Sequence, residues 1–246
     1  MQEIITTPET GWKFLDLMDG EVRSRHGNTA WTVGAWKHVN GFIYTCSNGF
    51  HCSPGIGPAM SYVGGNVLAK VEAKGRVGRE DGGASPKAAY SDMRLTEAYH
   101  WTAQDSVALA AFALELVLPK WQEHYPEIEV PAKVLELVKK YLADPGSVTG
   151  DELEAAGTAA YDIYAGTDDE PAEHVVGMAY RAAWAAQHAK HGRYGPVAEY
   201  AASAALSASY TLVPHEGGYS PEIEAWLQER VKTLKPVEVP AQAKSE

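Results

Sequence analysis

The chain has 246 residues, of which 45% are hydrophobic and 22% charged, and its formal net charge is -11. This length suits two modest domains that each bury a core, and the composition is that of a soluble globular protein. The acidic balance argues against nucleic acid as a partner, because a protein that neutralises phosphates would carry a basic stripe.

The chain shows no targeting or membrane signal. Its first ten residues contain no basic segment followed by an apolar run, and no window approaches the ~18 consecutive apolar residues of a membrane helix. The two cysteines, Cys46 and Cys52, are too few for a disulfide framework. We therefore expect reduced cysteines, no membrane partner and a location in the host-cell cytoplasm, and we leave the oligomeric state open.

Residues 1–102 are predicted to form a β-rich α+β domain, because short apolar runs alternate with turn-forming pairs such as Asn48-Gly49. The aromatic and β-branched residues of segments 31–36 and 41–46 favour neighbouring strands. Residues 66–74 alternate between apolar and polar side chains, which predicts a strand with one buried face.

Between these segments, residues 50–53 are predicted as a short strand that leads into a short helix ending on Tyr62. Residues 46–62 are the part of the chain densest in chemical groups. Residues 78–86 are predicted to be a polar, glycine-rich loop.

Residues 103–235 are predicted to form an all-α helical bundle. In segment 105–125, apolar residues recur at spacings of three and four, and Pro119 should kink or end that helix. Thr149 and Glu152 form a capping box that starts another helix.

The later part of the bundle is rich in alanine. Segments 171–192 and 196–210 are predicted as its two central helices, because small side chains allow helix axes to approach closely. Residues 236–246 are predicted to be a disordered tail.

Short motifs along residues 12–96 suggest a first resemblance. They are Lys13-Phe14, Trp31-x-Val-Gly34, Cys46-x-Asn-Gly-Phe-His51, Val71-Glu-Ala-x-Gly75, Lys87 and Met93-Arg94. These motifs resemble a domain of unknown function that is frequent in bacteriophage genomes. The resemblance implies a phage or mobile-element setting and brings no activity with it.

A second resemblance covers residues 107–210. The segment 112–121 and the alanine-rich motifs Ala182-Ala-Trp-Ala-Ala186 and Tyr200-Ala-Ala-Ser-Ala204 resemble helical immunity proteins that are encoded beside bacterial toxins. This resemblance implies a binding role, because such proteins act by occupying a protein partner.

A third, fainter similarity concerns chemistry. Residues 49–62, followed by a strand that ends in Val71-Glu-Ala-Lys-Gly75, are similar to the middle of the poly(ADP-ribose) polymerase catalytic fold. The similarity implies that His51 takes the place of a ring residue that contacts NAD and that Tyr62 takes the place of the tyrosine that stacks on nicotinamide. Ser53 is placed with them as a cofactor-binding residue.

The chain departs from that fold in two respects. The upstream His-Gly motif is not found, since His26-Gly27 has polar neighbours that indicate a loop. The catalytic carboxylate of the last strand is not identified either. Asp92 and Glu97 are the nearest acids and the candidates for that role.

Other interpretations of the same residues remain open. Cys46, His51 and Cys52 could bind zinc in a site completed by His26 or His38, or Cys52 could be a nucleophile activated by His51. Adjacent strand residues face apart, which weakens both interpretations and leaves buried cysteines acting as small apolar residues. His51 could instead bond a turn carbonyl while Tyr62 packs in the core.

The most economical prediction is a non-catalytic accessory protein of a phage or mobile element. In it, the helical domain binds a protein partner in the manner of an immunity or counter-defence factor, with no cofactor and no metal. The alternative is an ADP-ribosyltransferase that uses NAD at His51 and Tyr62.

Overall fold

The computed structural model describes residues 2–80, 86–167, 170–212 and 218–238. The chain divides into two compact units. The N-terminal unit contains Met1–Trp101 together with Trp226–Glu246, and the helical unit contains Thr102–Ala225. This division gives residues 226–235 to the N-terminal unit, whereas the sequence placed them in the bundle.

The N-terminal unit is built on an antiparallel sheet with the strand order β3-β2-β1-β6-β7-β4, and β5 also pairs with β7. The element bounds are β1 Glu3–Met18, β2 Glu21–Arg23, β3 Ala30–Trp31, β4 Lys37–His38, β5 Phe50–Cys52, α1 Ile56–Tyr62, β6 Val67–Glu80 and β7 Lys87–His100. The α+β prediction for this part of the chain is confirmed.

The long strand β6 lies at the centre of this sheet, between β1 and β7. Val67, Ala69, Val71 and Ala73 are fully buried, which confirms the buried face predicted for residues 66–74. They belong to the core cluster of the unit, which also contains Leu15 of β1 together with residues of β7. The β6 strand continues to Glu80, so residues 78–80, predicted as loop, are strand, and residues 81–85 lie outside the described ones.

The prediction of two neighbouring strands at residues 31–36 and 41–46 is wrong. β3 ends at Trp31, and residues 41–46 form a looped segment in which Tyr44 bridges to Asn48. The Asn48 amide donates hydrogen bonds to the carbonyls of Asn40 and Phe42, at 3.0 and 2.8 Å. In a strand, these carbonyls would accept hydrogen bonds from a neighbouring strand, but here they accept them from the Asn48 side chain.

The helical unit begins at a capping box in which the Thr102 hydroxyl accepts from the backbone N–H of Asp105. The bounds of its helices are α2 Ala103–His124, α3 Val130–Ala143, α4 Gly150–Gly166, α5 Glu170–Lys190, α6 Tyr194–Leu212 and α7 Pro221–Val231, of which α7 crosses the division between the units. The capping box predicted at Thr149 and Glu152 is confirmed.

Alanine dominates the centre of the helical unit. α5 packs against α2, α3, α4 and α6, and its alanines at 182, 183, 185 and 186 are fully buried, as are Ala201, Ala204 and Ala205 of α6. Small side chains allow this close packing, as the sequence predicted. Pro119 does not end α2, which continues to His124.

Part of the predicted tail is ordered. Val237 is buried and donates a backbone hydrogen bond to the carbonyl of Ala98 at 2.9 Å, and Pro236 bridges to Tyr99. Residues 239–246 lie outside the described ones. Within the part of the chain that the structure describes, no helix is both long enough and apolar enough to cross a membrane.

Candidate functional site

A cleft of about 520 Å³ lies in the N-terminal unit. Its walls come from β1, the loop between β2 and β3, residues 46–49, β5, α1 and the first residue of β7. The volume falls in the usual range of small-molecule sites. The three residues predicted to bind a cofactor, His51, Ser53 and Tyr62, all line this cleft.

Local structure fixes the floor of the cleft. β5 pairs with β7, so that His51 lies opposite Ala89. Ser53 exchanges two backbone hydrogen bonds with Trp12 of β1, at 2.8 and 3.0 Å, and is itself buried. β5 is thereby fixed to β1 on one side and to β7 on the other, and α1 follows directly.

The His51 ring holds the loop that precedes it. Its Nε2 accepts a hydrogen bond from the backbone N–H of Cys46 at 2.8 Å, and the ring also bonds the backbone of Gly49. Cys46 has a φ of 61°, in the left-handed region that non-glycine residues rarely adopt, so this hydrogen bond secures an unfavourable turn. Burial, followed by the charges of Lys13 and Lys87, lowers the pKa of His51 to about 4.

Tyr62 does not pack in the core. Its side chain is 41% exposed, and the Lys87 Nζ lies 4.0 Å from the centroid of its ring. This distance is that of a cation–π contact. A stacked ligand ring at Tyr62 would therefore compete with the Lys87 ammonium for this face or would use the other one.

The cleft is cationic. Lys13, Arg25 and Lys87 line it, and its described lining residues include no aspartate or glutamate. Arg25 makes a two-point ion pair with Asp16, at 2.9 and 3.0 Å, and the Lys87 Nζ lies 3.3 Å from a carboxylate oxygen of Glu80.

Lys13 differs from the other two cations. Its Nζ donates to the backbone carbonyl of His51 at 2.8 Å, and no carboxylate pairs with it among the described residues. Burial lowers the pKa of Lys13 to about 8. An ammonium group that loses hydration without gaining a carboxylate partner is typical of functional sites.

The predicted catalytic acids, Asp92 and Glu97, do not line the cleft. Asp92 bonds the Nδ1 of His38 at 2.8 Å and accepts from the Ser91 hydroxyl at 2.5 Å. Glu97 lies 3.7 Å from the Lys70 Nζ and also accepts from the Tyr99 hydroxyl. The geometry does not bring either carboxylate to His51 and Tyr62.

The two cysteines have different environments. Both line the cleft, but Cys46 is exposed whereas Cys52 is buried, and burial raises the pKa of the Cys52 thiol to about 12. A thiol that holds its proton so firmly is a poor nucleophile, which favours the interpretation of Cys52 as a small core residue. Among the residues described, no group of three histidines, cysteines or acids could hold a metal ion.

Sequence reasoning did not select the cations of the cleft as site residues. In the sequence, Lys13 and Lys87 stand out only as parts of motifs. One local pattern points to Lys13. Gly11, Lys13 and Leu15 lie on the same face of one strand, and a lysine is unusual on a face that packs into the core.

The helical unit carries a separate group of aromatic side chains, called here the aromatic surface: Tyr161, Tyr164, Tyr180, Trp184 and Tyr200 of α4, α5 and α6. Successive rings of this surface have centroids 5.5 to 6.4 Å apart. All five side chains are exposed or half-buried. His188 of α5 stacks on Tyr200, with the ring centroids 5.6 Å apart.

Comparison with curated proteins and with solved structures found no match to this chain. One family model does match, over residues 17–104, and its description is "Domain of unknown function (DUF7666)". The match spans β2 to β7 and most of the cleft, but it excludes the lining residues Trp12, Lys13 and Phe14. Residues 17–104 are therefore an N-terminal domain of unknown function.

Proposed function

We propose that this protein acts by binding and that its N-terminal unit holds a small anionic ligand in the cleft. The observation that carries the proposal is the lining of the cleft, with Lys13, Arg25 and Lys87 and no carboxylate among its described residues. Cationic side chains in a partly enclosed space attract anions more strongly than the same charges on an open surface.

The lining also indicates the shape of the ligand. Trp12, Phe50 and Tyr62 add aromatic rings to the walls, and rings in a binding site favour planar, stacked groups. A ligand that combines a planar ring with a phosphate or carboxylate group matches both features, and a mononucleotide is a representative of this class.

The alternative, an ADP-ribosyltransferase that uses NAD, has weaker support. NAD belongs to the same ligand class, so the cleft suits it as a bound molecule. Transfer of ADP-ribose would need a carboxylate near the nicotinamide end, and Asp92 and Glu97 are engaged elsewhere. His51 is neutral and bonded to its own loop, so it is not a free cofactor contact.

Calorimetric titration with AMP, inorganic phosphate and NAD tests the binding proposal. We expect AMP to bind, and we expect Lys13→Met and Lys87→Met each to weaken binding at least about tenfold, which corresponds to roughly 1.4 kcal/mol. Lys70→Met is the matched control, because Lys70 pairs with Glu97 outside the cleft. The proposal fails if none of the three probes binds or if Lys70→Met weakens binding equally.

The enzyme alternative is tested in the same samples. Incubation with NAD and a bacterial lysate, followed by measurement of released nicotinamide, should give no protein-dependent release. Release that disappears in Tyr62→Ala would instead support a transferase and would overturn the non-catalytic interpretation.

We also propose that the helical unit binds a protein partner, in the manner of an immunity or counter-defence factor of a phage or mobile element. The specific observation is the aromatic surface, because exposed aromatic side chains are enriched at protein interfaces. The helical unit also contains the entire excess of acidic over basic residues in the chain. Charge complementarity therefore indicates a partner with a basic face.

A photo-crosslinker placed at Tyr161, which is 48% exposed, would identify the partner in a lysate by mass spectrometry. The captured protein is then purified and titrated at low and high salt. Tyr161→Ala should weaken binding, and added salt should do the same. Tyr194→Ala is the control, since Tyr194 is 49% exposed and is not part of the aromatic surface. An acidic partner, or equal effects of both variants, would contradict the proposal.

A further inference from the structure

Lys13 enters the cleft from the core side of β1. Leu15, two positions along the strand, belongs to the core cluster, and Lys13 itself lies opposite Ala69, another member of that cluster. A Cβ atom built on Gly11, on the same face of β1, would lie 3.0 Å from the Sγ of buried Cys52. The Lys13 side chain therefore leaves the backbone on the apolar face of the sheet, and it also lines the cleft.

The amine at the end of this side chain is held by a neutral acceptor. The Nζ donates to the His51 carbonyl at 2.8 Å, and no acidic group in the described part of the chain forms an ion pair with it. This environment stabilises an ammonium ion less than water does, and it favours the uncharged amine, in agreement with the lowered pKa of Lys13.

The other two cations of the cleft are held as charges. Arg25 is tied to Asp16, and the Lys87 Nζ lies close to Glu80 and over the ring of Tyr62. Burial tends to lower the pKa of Lys87, but hydrogen bonds with Cys46 and Glu80 outweigh it, and the pKa of Lys87 is raised. The cleft thus combines one amine of lowered pKa with two cations that each face a carboxylate.

We propose that Lys13 is a covalent capture site that forms an imine with the aldehyde group of an anionic small molecule, while Arg25 and Lys87 bind the anionic group. This inference rests on the proposed function of the cleft and specifies its ligand class as phosphorylated or carboxylated aldehydes. A lysine amine that no carboxylate holds as an ammonium ion, with paired cations lining the same cleft, has the arrangement needed for such an adduct.

The reaction is balanced without any further reactant. The lone pair of the Lys13 Nζ attacks the carbonyl carbon, and the carbonyl oxygen takes up a proton from the nitrogen to give a carbinolamine. The carbinolamine then loses its hydroxyl group and a second nitrogen proton as one water molecule. A carbon–nitrogen double bond remains, and the same water can hydrolyse it, so capture is reversible.

The test uses pyridoxal 5′-phosphate as the probe, because it carries both an aldehyde and a phosphate. The full-length protein is mixed with a limiting amount of the probe, reduced with borohydride, digested and mapped by mass spectrometry. We expect labelling at Lys13 to exceed that at Lys70 and Lys74 by at least about tenfold, because a lower pKa leaves more amine unprotonated. Labelling should increase as the pH rises through about 8.

Lys13→Arg separates this inference from anion binding. Arginine keeps the positive charge but forms no imine under these conditions, so phosphate and AMP should still bind while pyridoxal 5′-phosphate leaves no label at position 13. Lys87→Met should reduce labelling of Lys13 by the phosphorylated probe more than labelling by pyridoxal, which lacks the phosphate. Circular dichroism confirms that each variant is folded.

Two results would overturn the inference. One is uniform labelling of the lysines in the wild-type protein, and the other is unchanged total labelling in Lys13→Arg. Either result would leave the anion-binding proposal intact if AMP still binds. If AMP does not bind but Lys13 is still labelled selectively, the proposed function is refuted, whereas the conclusion that Lys13 has a reactive amine stands.

Discussion

The N-terminal unit and the helical unit differ in their charge. In the N-terminal unit, lysine and arginine slightly outnumber aspartate and glutamate, whereas the helical unit contains the whole acidic excess. The net charge of -11 therefore describes the helical unit and is misleading for the cleft. A prediction from whole-chain charge, such as the absence of nucleic acid as a partner, applies to the helical unit and not to the N-terminal one.

The two units also achieve close packing by different means. In the N-terminal unit, glycine permits close approach of the backbone, since a Cβ atom built on Gly65 would lie 2.1 Å from the carbonyl oxygen of Leu15. In the helical unit, buried alanines such as Ala201 permit close approach of the helices. Added atoms should therefore be tolerated least at such glycines and somewhat better between helices, where side chains can adjust.

The largest effect is expected for Gly65→Ala. The new Cβ would meet the carbonyl oxygen and carbon of Leu15 at 2.1 and 2.8 Å, so β1 or the residues before β6 must move. We expect the free energy of unfolding to fall by about 3 kcal/mol, measured by urea denaturation.

Gly20→Ala is the matched control for that substitution. Gly20 has a φ of +80°, and no atom lies within 4 Å of the added Cβ, so only backbone strain of about 1 kcal/mol is expected. If both variants lose the same unfolding free energy, then backbone strain, and not the close approach of other atoms, explains why these positions require glycine.

A smaller effect is expected for Ala201→Leu in α6. Ala201 is fully buried in the helix that packs against α2 and α5, and the larger side chain should cost about 2 kcal/mol of unfolding free energy. Ala155→Leu on the exposed side of α4 should stay within about 0.5 kcal/mol of the wild type. A stable Ala201→Leu variant would mean that the helices have room to separate and would remove this contrast between the units.

The helices of this chain could be predicted because their signals are local. The capping box at Thr149 and Glu152, and the three- and four-residue spacing in α2, operate within a few residues of the chain. Residues 41–46 have the composition of a strand, but Gly41 and Cys46 both have positive φ values, and the Asn48 side chain takes two of the nearby carbonyls. Side-chain hydrogen bonds within the loop overrode the composition there.

The candidate site was predicted only in its local part. His51, Ser53 and Tyr62 lie within twelve residues, and they do share one cleft. Lys13 and Arg25 lie on either side of the β1–β2 turn, but Lys87 begins β7, far along the chain, so strand pairing and not sequence spacing brings Lys87 to the other two. The His51 ring accepts a hydrogen bond from the Cys46 backbone N–H, a contact that no pattern of residue types reveals.

An acid-dependent loss of stability is expected from His51 in the N-terminal unit. Its pKa in the folded protein is about 4, below the usual 6.5, so the unfolded chain binds a proton first as the pH falls. The contribution of the neutral ring is complete above pH 6.5 and is lost progressively as the pH falls to 4, by at most roughly 1.4 kcal/mol for each pH unit.

Denaturation at several pH values checks this, because His51→Gln keeps a hydrogen-bond acceptor that does not titrate and should flatten the profile. Cys46→Ala keeps the backbone N–H that His51 binds and should retain the slope of the wild type. A wild-type slope in His51→Gln would assign the acid sensitivity to other groups.

The smallest effect is expected for Thr149→Ala at the start of α4. The Thr149 hydroxyl accepts from the backbone N–H of Glu152 at 3.1 Å, and the Glu152 carboxylate accepts from the Thr149 backbone at 2.7 Å. Removal of the hydroxyl leaves one N–H of the first turn to water, which typically costs about 1 kcal/mol. Thr158→Ala, on the exposed side of the same helix, is the control, and its unfolding free energy should be unchanged or slightly higher because alanine is the better helix former. The cap is a local feature, whereas the alanine packing is not. The loss of unfolding free energy in Thr149→Ala should therefore add to the loss in Ala201→Leu when both changes are combined. A clear departure from additivity would show that the start of α4 and the packing of α6 are coupled.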